Sequence, residues 1–323
     1  MPQSNQNKNK LPQVQYLEID LAHEGQRIDN FLLSHLKGVP KTHIYRLLRK
    51  GEIRVNKGRI KPTYRITVGD CIRLPPLRLP QAKSSPNNQN KQLDFIKNAV
   101  LYEDKDLIVL NKPAGIAVHG GSGISFGVIE MMRVLYAKER RIELVHRLDR
   151  ETSGCLIIAK KTSILRALHQ YLREDQLDKR YLTLVKGHWQ DKHREVMLPL
   201  KKGINQSGER HVYVHAEGKP SRTDFYVQQK FAQATLLEAR LLTGRTHQIR
   251  VHTTHTGMPI AGDEKYGDKS FNQSMQAYGL HRLFLHARFI KFVHPATKEL
   301  VTVTAPLGTM LQNVLNNLSK PTP

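Results

Sequence analysis

The stretch LVHRLDRETSGCLIIAK, residues 144–160, sets a polar turn against an apolar run. In its first half Asp149 stands between Arg147 and Arg150 and leads into Thr152-Ser153-Gly154, residues that favour turns and caps. In its second half, residues 155–159 are apolar throughout and read as a strand. Outward from this pair, similar short runs occur at 99–102 and 107–110 before it, and at 181–185, 225–227 and 236–242 after it. Helical spacing predicts helices over 126–136, over 163–173 with Ile164, Leu165, Leu168 and Leu172 on one face, and over 310–318. Strands often follow strands with no helix between them. That order predicts an α+β fold with a mixed, mainly antiparallel sheet rather than a doubly wound parallel one.

The chain has 323 residues, enough for one catalytic domain over 96–323 and a small appended module. Hydrophobic residues make up 39% and charged residues 24%, the profile of a globular protein rather than a disordered one. No window approaches the roughly 20 apolar residues a spanning helix needs, and MPQSNQNKNK lacks the apolar core of a signal peptide, so a cytoplasmic protein with no membrane partner is expected. Cys71 and Cys155 stand far apart and outside any CxxC pair, which argues against a disulfide framework or a thiolate zinc site. Lys and Arg number 51 against 28 Asp and Glu, a net charge of +23 spread through the folded-looking sequence. Phosphate contacts release condensed counterions, so such a chain is expected to bind nucleic acid.

The amino-terminal part carries the densest charge. Residues 1–14 are polar and read as a flexible tail. Ile28, Phe31, Leu32 and Leu36 predict one short helix, and Ile44, Leu47 and Leu48 a second, with Pro40 between them and Gly51 as the stop. Ile53 and Val55, then Ile72 and Leu74, read as strands set off by turns at Asn56-Lys57-Gly58 and Val68-Gly69-Asp70. Between residues 41 and 65 there are nine Lys or Arg and one acid, Glu52. Lys41, Arg46, Arg49, Lys50, Arg54, Lys57 and Arg59 are therefore expected to face nucleic-acid phosphates. The unit is expected to span 15–76. Residues 77–95, with the polar run QAKSSPNNQNK, read as a linker.

Read as chemistry, an acid between two arginines favours the ionised carboxylate and supplies a nucleophile, although Asp before Thr-Ser-Gly is also ordinary turn chemistry. The series of motifs tips the balance. HRLDxxTSG followed by an apolar strand resembles the signature of the pseudouridine synthases related to the ribosomal large-subunit enzymes. NKPAGIAVHGG from Asn111, KRYLTLVKG from Lys179, TGRTHQIRVH from Thr243, GMPIAGDEKYG from Gly257 and LFLHA from Leu283 follow in that family's order, so the likeness spans residues 99–305. AVHGGSGISFGVIE, residues 117–130, resembles one subgroup of these enzymes. RIDNFL, IYRLLRKGEIRVN and VGD resemble the alpha-L RNA-binding module of a small-subunit ribosomal protein, which is reused on unrelated proteins and so names no reaction.

The resemblance implies isomerisation of specific uridines in 23S ribosomal RNA, with the large-subunit RNA as partner and no cofactor; a monomer is expected. The bond between ribose and uracil nitrogen breaks, the base turns, and it rejoins through carbon, after the target has been flipped out of its helix. Asp149 matches the family nucleophile, and Tyr181 the tyrosine that stacks on the flipped uracil. Ile249 and Arg250 match an apolar wall and the charge-assisted partner of the nucleophile, with Arg245 a second candidate for that pairing. Arg147 resembles the arginine that fills the gap left by the flipped base.

Other readings fit less well. His247, His252 and His255 lack the spacing of an HExxH helix and an accompanying carboxylate, so no metal is expected, and His252 and His255 are expected to contact RNA or cap a helix. Gly120, Gly121 and Gly123 precede no GK[ST], and Gly244-Arg245-Thr246 lacks the lysine, which argues against ATP or GTP. Neither HIGH-like nor KMSKS-like motifs occur, against an aminoacyl-tRNA synthetase. The rival class is a non-catalytic RNA-binding or ribosome-assembly factor on the same fold.

Overall fold

The computed structural model describes residues 13–20, 23–36, 39–77, 86–120, 126–139, 141–204 and 210–320, and the chain divides into two units, Met1–Ser84 and Ser85–Pro323. Most of the expected tail, the first half of the expected linker and the centre of the 117–130 stretch lie outside the described residues.

In the first unit, β1 (Gln15–Glu18), α1 (Ile28–His35), α2 (Lys41–Lys50), β2 (Arg54–Val55) and β3 (Cys71–Leu74) form two helices and a three-stranded sheet of order β1-β3-β2. The helical periodicity buries Ile28, Phe31 and Leu32 from α1 and Ile44, Leu47 and Leu48 from α2 against Ile53, Ile72 and Leu74. Gly51 ends α2 in the left-handed region at φ 70°, where a side chain would be strained. Asn56 and Lys57 both take positive φ in a two-residue turn closed by mutual hydrogen bonds between Val55 and Gly58. Asp29 is buried and ion-paired to Arg27 at 2.7 Å, and it accepts from the Tyr45 hydroxyl. The Arg27 hydrogen bond outweighs burial and holds its carboxyl at about 2. With the helix faces that look inward apolar, the cations Lys41, Arg46, Arg49, Lys50, Arg54, Lys57 and Arg59 are left exposed.

The second unit runs α3 (Pro86–Lys97), β4 (Val100–Glu103), β5 (Leu107–Lys112), α4 (Val128–Leu135), β6 (Glu143–Leu144), β7 (Ser153–Ala159), α5 (Thr162–Arg173), β8 (Asp178–Lys186), β9 (His193–Met197), β10 (Leu200–Ile204), β11 (Arg210–Val214), β12 (Arg222–Lys230), β13 (Ala234–Leu241), α6 (Gln248–His255), α7 (Lys269–Gln276), β14 (Leu285–Val293), β15 (Leu300–Thr304) and α8 (Thr309–Leu318). The main path of the large sheet is β4-β5-β7-β14-β8-β13-β12-β9, with β6 beside β7 and β15 beside β14. Its pairings are antiparallel except β7 with β14. The expected mixed, mainly antiparallel α+β sheet is the one found.

Every residue of β7 is buried because both faces of the sheet are covered: Leu156 and Ile158 enter one core, Cys155 and Ile157 the other. The expected linker needs correction from residue 86 onward. Residues 86–97 form α3, whose Ile96 is fully buried in the main core and whose Leu93 packs beside it.

Candidate active site

The sheet's continuity creates the site. β7 begins where the 144–152 turn ends, and Gly154, at φ 109°, lets β14 approach so closely that a Cβ there would lie 2.2 Å from the Ala287 carbonyl oxygen. Ser153 and His286 clasp the same junction through an Oγ to Nδ1 hydrogen bond of 2.9 Å. The turn is fixed from a second side by Lys112 at the end of β5. Its fully buried ammonium donates to the carbonyls of Pro113, Ile116 and Arg150, at 2.7, 2.8 and 3.1 Å, and burial pushes it down to about 7.

Asp149 is thereby presented to a cavity of about 510 Å³ whose walls include Tyr181 from β8, Ile249 and Arg250 from α6, Arg147 beside the turn, and Arg245 from the loop before α6. That loop is shaped by the buried Gln248. Its carbonyl oxygen accepts from the Thr243 hydroxyl and the Arg245 amide, while its nitrogen donates to Arg222 and Thr223. Tyr181 is nearly buried, and desolvation followed by the Asp149 charge raises its hydroxyl above the ordinary phenol range, so it stays protonated at neutral pH. His146, beside Arg147, accepts from the Ile157 amide at 3.1 Å, and burial with the nearby Lys179 pushes it down to about 3, leaving it neutral.

The carboxylate's cationic neighbour is Arg250, with Nη1 3.4 Å from Asp149 Oδ2. Arg245 instead donates to the Pro220 carbonyl, and Arg150 to the Gly115 carbonyl. The flanking arginines therefore do not supply the charge partner that the sequence suggested. Arg250 is itself clamped by a group the sequence reading passed over: Asp263, 2% exposed, accepts its Nε at 2.7 Å and Nη2 at 2.8 Å. Burial alone would raise Asp263, but the bidentate bond and charge of Arg250 more than offset it and hold the carboxyl below its usual range. Tyr266 lies under the Arg250 guanidinium, 4.9 Å from ring centroid to Cζ.

His247 is the other missed residue. It caps α6 in the left-handed region at φ 55°, a strained conformation for histidine. Its Nδ1 lies 2.8 Å from the Tyr266 hydroxyl, which in turn accepts from the Val212 amide at 3.0 Å. The phenol proton is therefore free to point at Nδ1, so neutral His247 carries its own proton on Nε2, 3.7 Å from Asp149 Oδ2. Burial lowers its pKa against the raising influence of Asp149.

His252 corrects an expectation. It is fully buried, with Nε2 2.9 Å from the Ser221 hydroxyl, and burial pushes it down to about 4, so it cannot contact RNA. Two residues past Arg250 on a helix, it points to the opposite side. A separate cluster, Asp104, Asp106 and His294, brings three ligand atoms within 4.8 Å of one another. There His294 Nδ1 accepts from the Ala296 and Thr297 amides, which puts its proton on Nε2, 3.1 Å from Asp104 Oδ2. A metal would need that nitrogen bare, which the amide bonds to Nδ1 disfavour; among the described residues His294 Nε2 and Asp106 Oδ2 are buried without a hydrogen-bond partner.

Residues 106–255 match the family model described as RNA pseudouridylate synthase, and residues 26–72 the S4 domain. The chain is 53% identical to the ribosomal large subunit pseudouridine synthase C of Yersinia pestis, over 97% of this chain and 98% of the relative. It is 52% identical to the protein of the same description from Escherichia coli strain K12, over 96% and 98%. Among solved structures, human RNA pseudouridylate synthase domain containing 4 superimposes with a TM-score of 0.60 at 24% identity, covering 73% of this chain and 99% of that one, a likeness of fold.

Proposed function

Because this chain belongs to the RNA pseudouridylate synthase family, we propose that it isomerises specific uridines of large-subunit (23S) ribosomal RNA, with Asp149 as nucleophile. The observation that carries the assignment is the placement of Asp149. It is the one carboxylate among the residues lining the cavity, it lies within reach of Arg250, and the neutral phenol of Tyr181 lines the same space. Arg250, held by Asp263, orients the carboxylate. Ile249 and Tyr181 offer an apolar wall and a stacking ring to a flipped uracil. Whether Asp149 attacks the ribose or the uracil ring, the reaction that follows is balanced: the C1′–N1 bond breaks, a C1′–C5 bond forms, C5 gives up its proton to solvent and N1 takes one up in its place. It consumes no co-substrate. His247, as an Nε2–H donor facing Asp149, is a positioning residue for the same carboxylate.

Arg147, exposed at the cavity, is suited to the gap in the RNA stack, and the exposed cations between residues 41 and 59 to the phosphates of a flanking helix. We assign residues 15–76 to RNA docking and 96–323 to catalysis, in a cytoplasmic enzyme that works as a monomer. Carbodiimide-stop mapping of large-subunit RNA from cells with and without the gene tests the assignment. Loss of particular stops on deletion, restored by the wild-type gene and not by an Asp149→Asn copy, is expected. An unchanged pattern would favour a non-catalytic assembly factor.

A further inference from the structure

Five cationic side chains line the catalytic cavity, against the one carboxylate of Asp149. Four are accounted for. Arg250 is bound by Asp263 and Asp149, Arg245 donates to a backbone carbonyl, and Arg147 and Arg173 stand exposed at the cavity mouth where water solvates them. The fifth, Lys179, is only 6% exposed and forms no hydrogen bond or ion pair among the described residues. Its nearest acidic influences do not neutralise it directly. Both oxygens of Asp178 are taken, one by Arg180 and one by Arg240, and Asp175 is exposed beyond α5. Burial therefore lowers the Lys179 pKa, with Asp175 and Asp178 opposing from a distance.

A largely buried lysine whose ammonium meets no protein partner is costly, and a fold that keeps one with its ammonium open to a cavity has placed it where an anion arrives. On β8, Lys179 and Tyr181 are two residues apart and so face the same side of the sheet. A nucleotide turned into a space of about 510 Å³, with its base against Tyr181, brings its own phosphates with it. We propose that Lys179 forms a phosphate subsite inside the cavity, binding a phosphodiester of the flipped nucleotide itself rather than of the surrounding helix. This rests on the reading of the cavity as a uridine site. The competing role for Lys179 is structural, complementing the carbonyl end of α5, which closes at Arg173.

The two roles separate in a calorimetric titration of the full chain with uridine and with uridine 3′,5′-bisphosphate. Wild type is expected to bind the bisphosphate at least about tenfold more tightly, as one charge-assisted contact requires. Lys179→Met, which keeps the length of the side chain, should lose that preference while its affinity for uridine stays the same. Lys179→Arg should keep it. As a second readout, the slope of log kcat/KM against log salt on ribosomal RNA transcripts should become shallower by about 0.7 in Lys179→Met. A Lys179→Met protein that still prefers the bisphosphate tenfold overturns the proposal, and so does one that weakens both ligands equally together with its melting temperature. Uridine that fails to bind wild type at all would instead sink the reading of the cavity, whereas a phosphate preference in a protein that makes no pseudouridine would leave the subsite standing.

Discussion

The cations between residues 41 and 59 and those of the cavity follow opposite rules. In the amino-terminal unit Lys41, Arg46, Arg49, Lys50, Arg54, Lys57 and Arg59 are all exposed and form no ion pair among the described residues. In the cavity Arg250 is mostly buried and bound in a fixed fork by Asp263, 1% exposed at its side chain, and its free edge reaches Asp149. Exposed charges act as a sum, each worth little by itself and each screened by salt. Buried charges act singly, because removing one partner strands the other in a poor solvent. On the proposed reading, affinity for RNA is distributed over the first unit and chemistry is concentrated in a few atoms of the second.

Substitutions sharpen that contrast. Asp149→Asn should lower the rate of pseudouridine formation by about 10⁴-fold or more, the scale on which lost nucleophiles register. Arg250→Ala should cost about 10²- to 10³-fold in rate and, because Asp263 is left buried and charged, about 3–5 kcal/mol of stability by denaturant melts. If its loss of rate came with unchanged stability, the Asp263 clamp would be no more than a surface pair. Gly154→Ala should destabilise by about 3 kcal/mol, since it adds a Cβ both at positive φ and against the β14 backbone.

Effects in the first unit should be smaller. Deleting residues 1–80 should weaken RNA binding at least about tenfold, measured by filter retention, and leave a cooperatively melting catalytic unit. Lys57→Ala alone should cost only a few-fold and flatten the salt dependence by about one phosphate contact. A single exposed lysine whose loss matched the whole deletion would break the comparison. Asp29, like Asp70, is a buried exception in that unit. Its depressed carboxyl contributes stability that is present above about pH 4 and lost as pH falls toward about 2, so Asp29→Asn should flatten that acid limb of a melting profile.

The same division explains what could be read beforehand. Local pattern carried the first unit almost entirely: apolar spacing marked α1 and α2, Gly51 the stop, and the basic residues the exposed face. In the second unit the apolar strands and the Asp149 turn stood out, and the Ile249-Arg250 pair could be placed through the family motifs. The clamp could not. Asp263 and Tyr266 come to Arg250 by tertiary folding, and nothing in GDEKYG states which guanidinium they hold. β9 and β10 are charged, partly exposed strands without a continuous apolar run, so periodicity passed over them; β11, whose apolar run is only Val212-Tyr213-Val214, also went unread. The helix α3 lay hidden in polar composition, although Leu93 and Ile96 stand at helical spacing. A signal for His252 did exist: its two-residue offset from Arg250 turns it toward the core.

The most direct test of the account is tritium release from carbon 5 of labelled uridine in 23S ribosomal RNA, run beside filter binding on the same preparations of wild type and Asp149→Asn. Expected are steady release by wild type without added nucleotide or metal beyond what folds the RNA, release from Asp149→Asn lower by about 10⁴-fold, and RNA affinities within a few-fold of each other. Release from Asp149→Asn at the wild-type rate would contradict the nucleophile, and no release from wild type on any ribosomal RNA would contradict the isomerase itself.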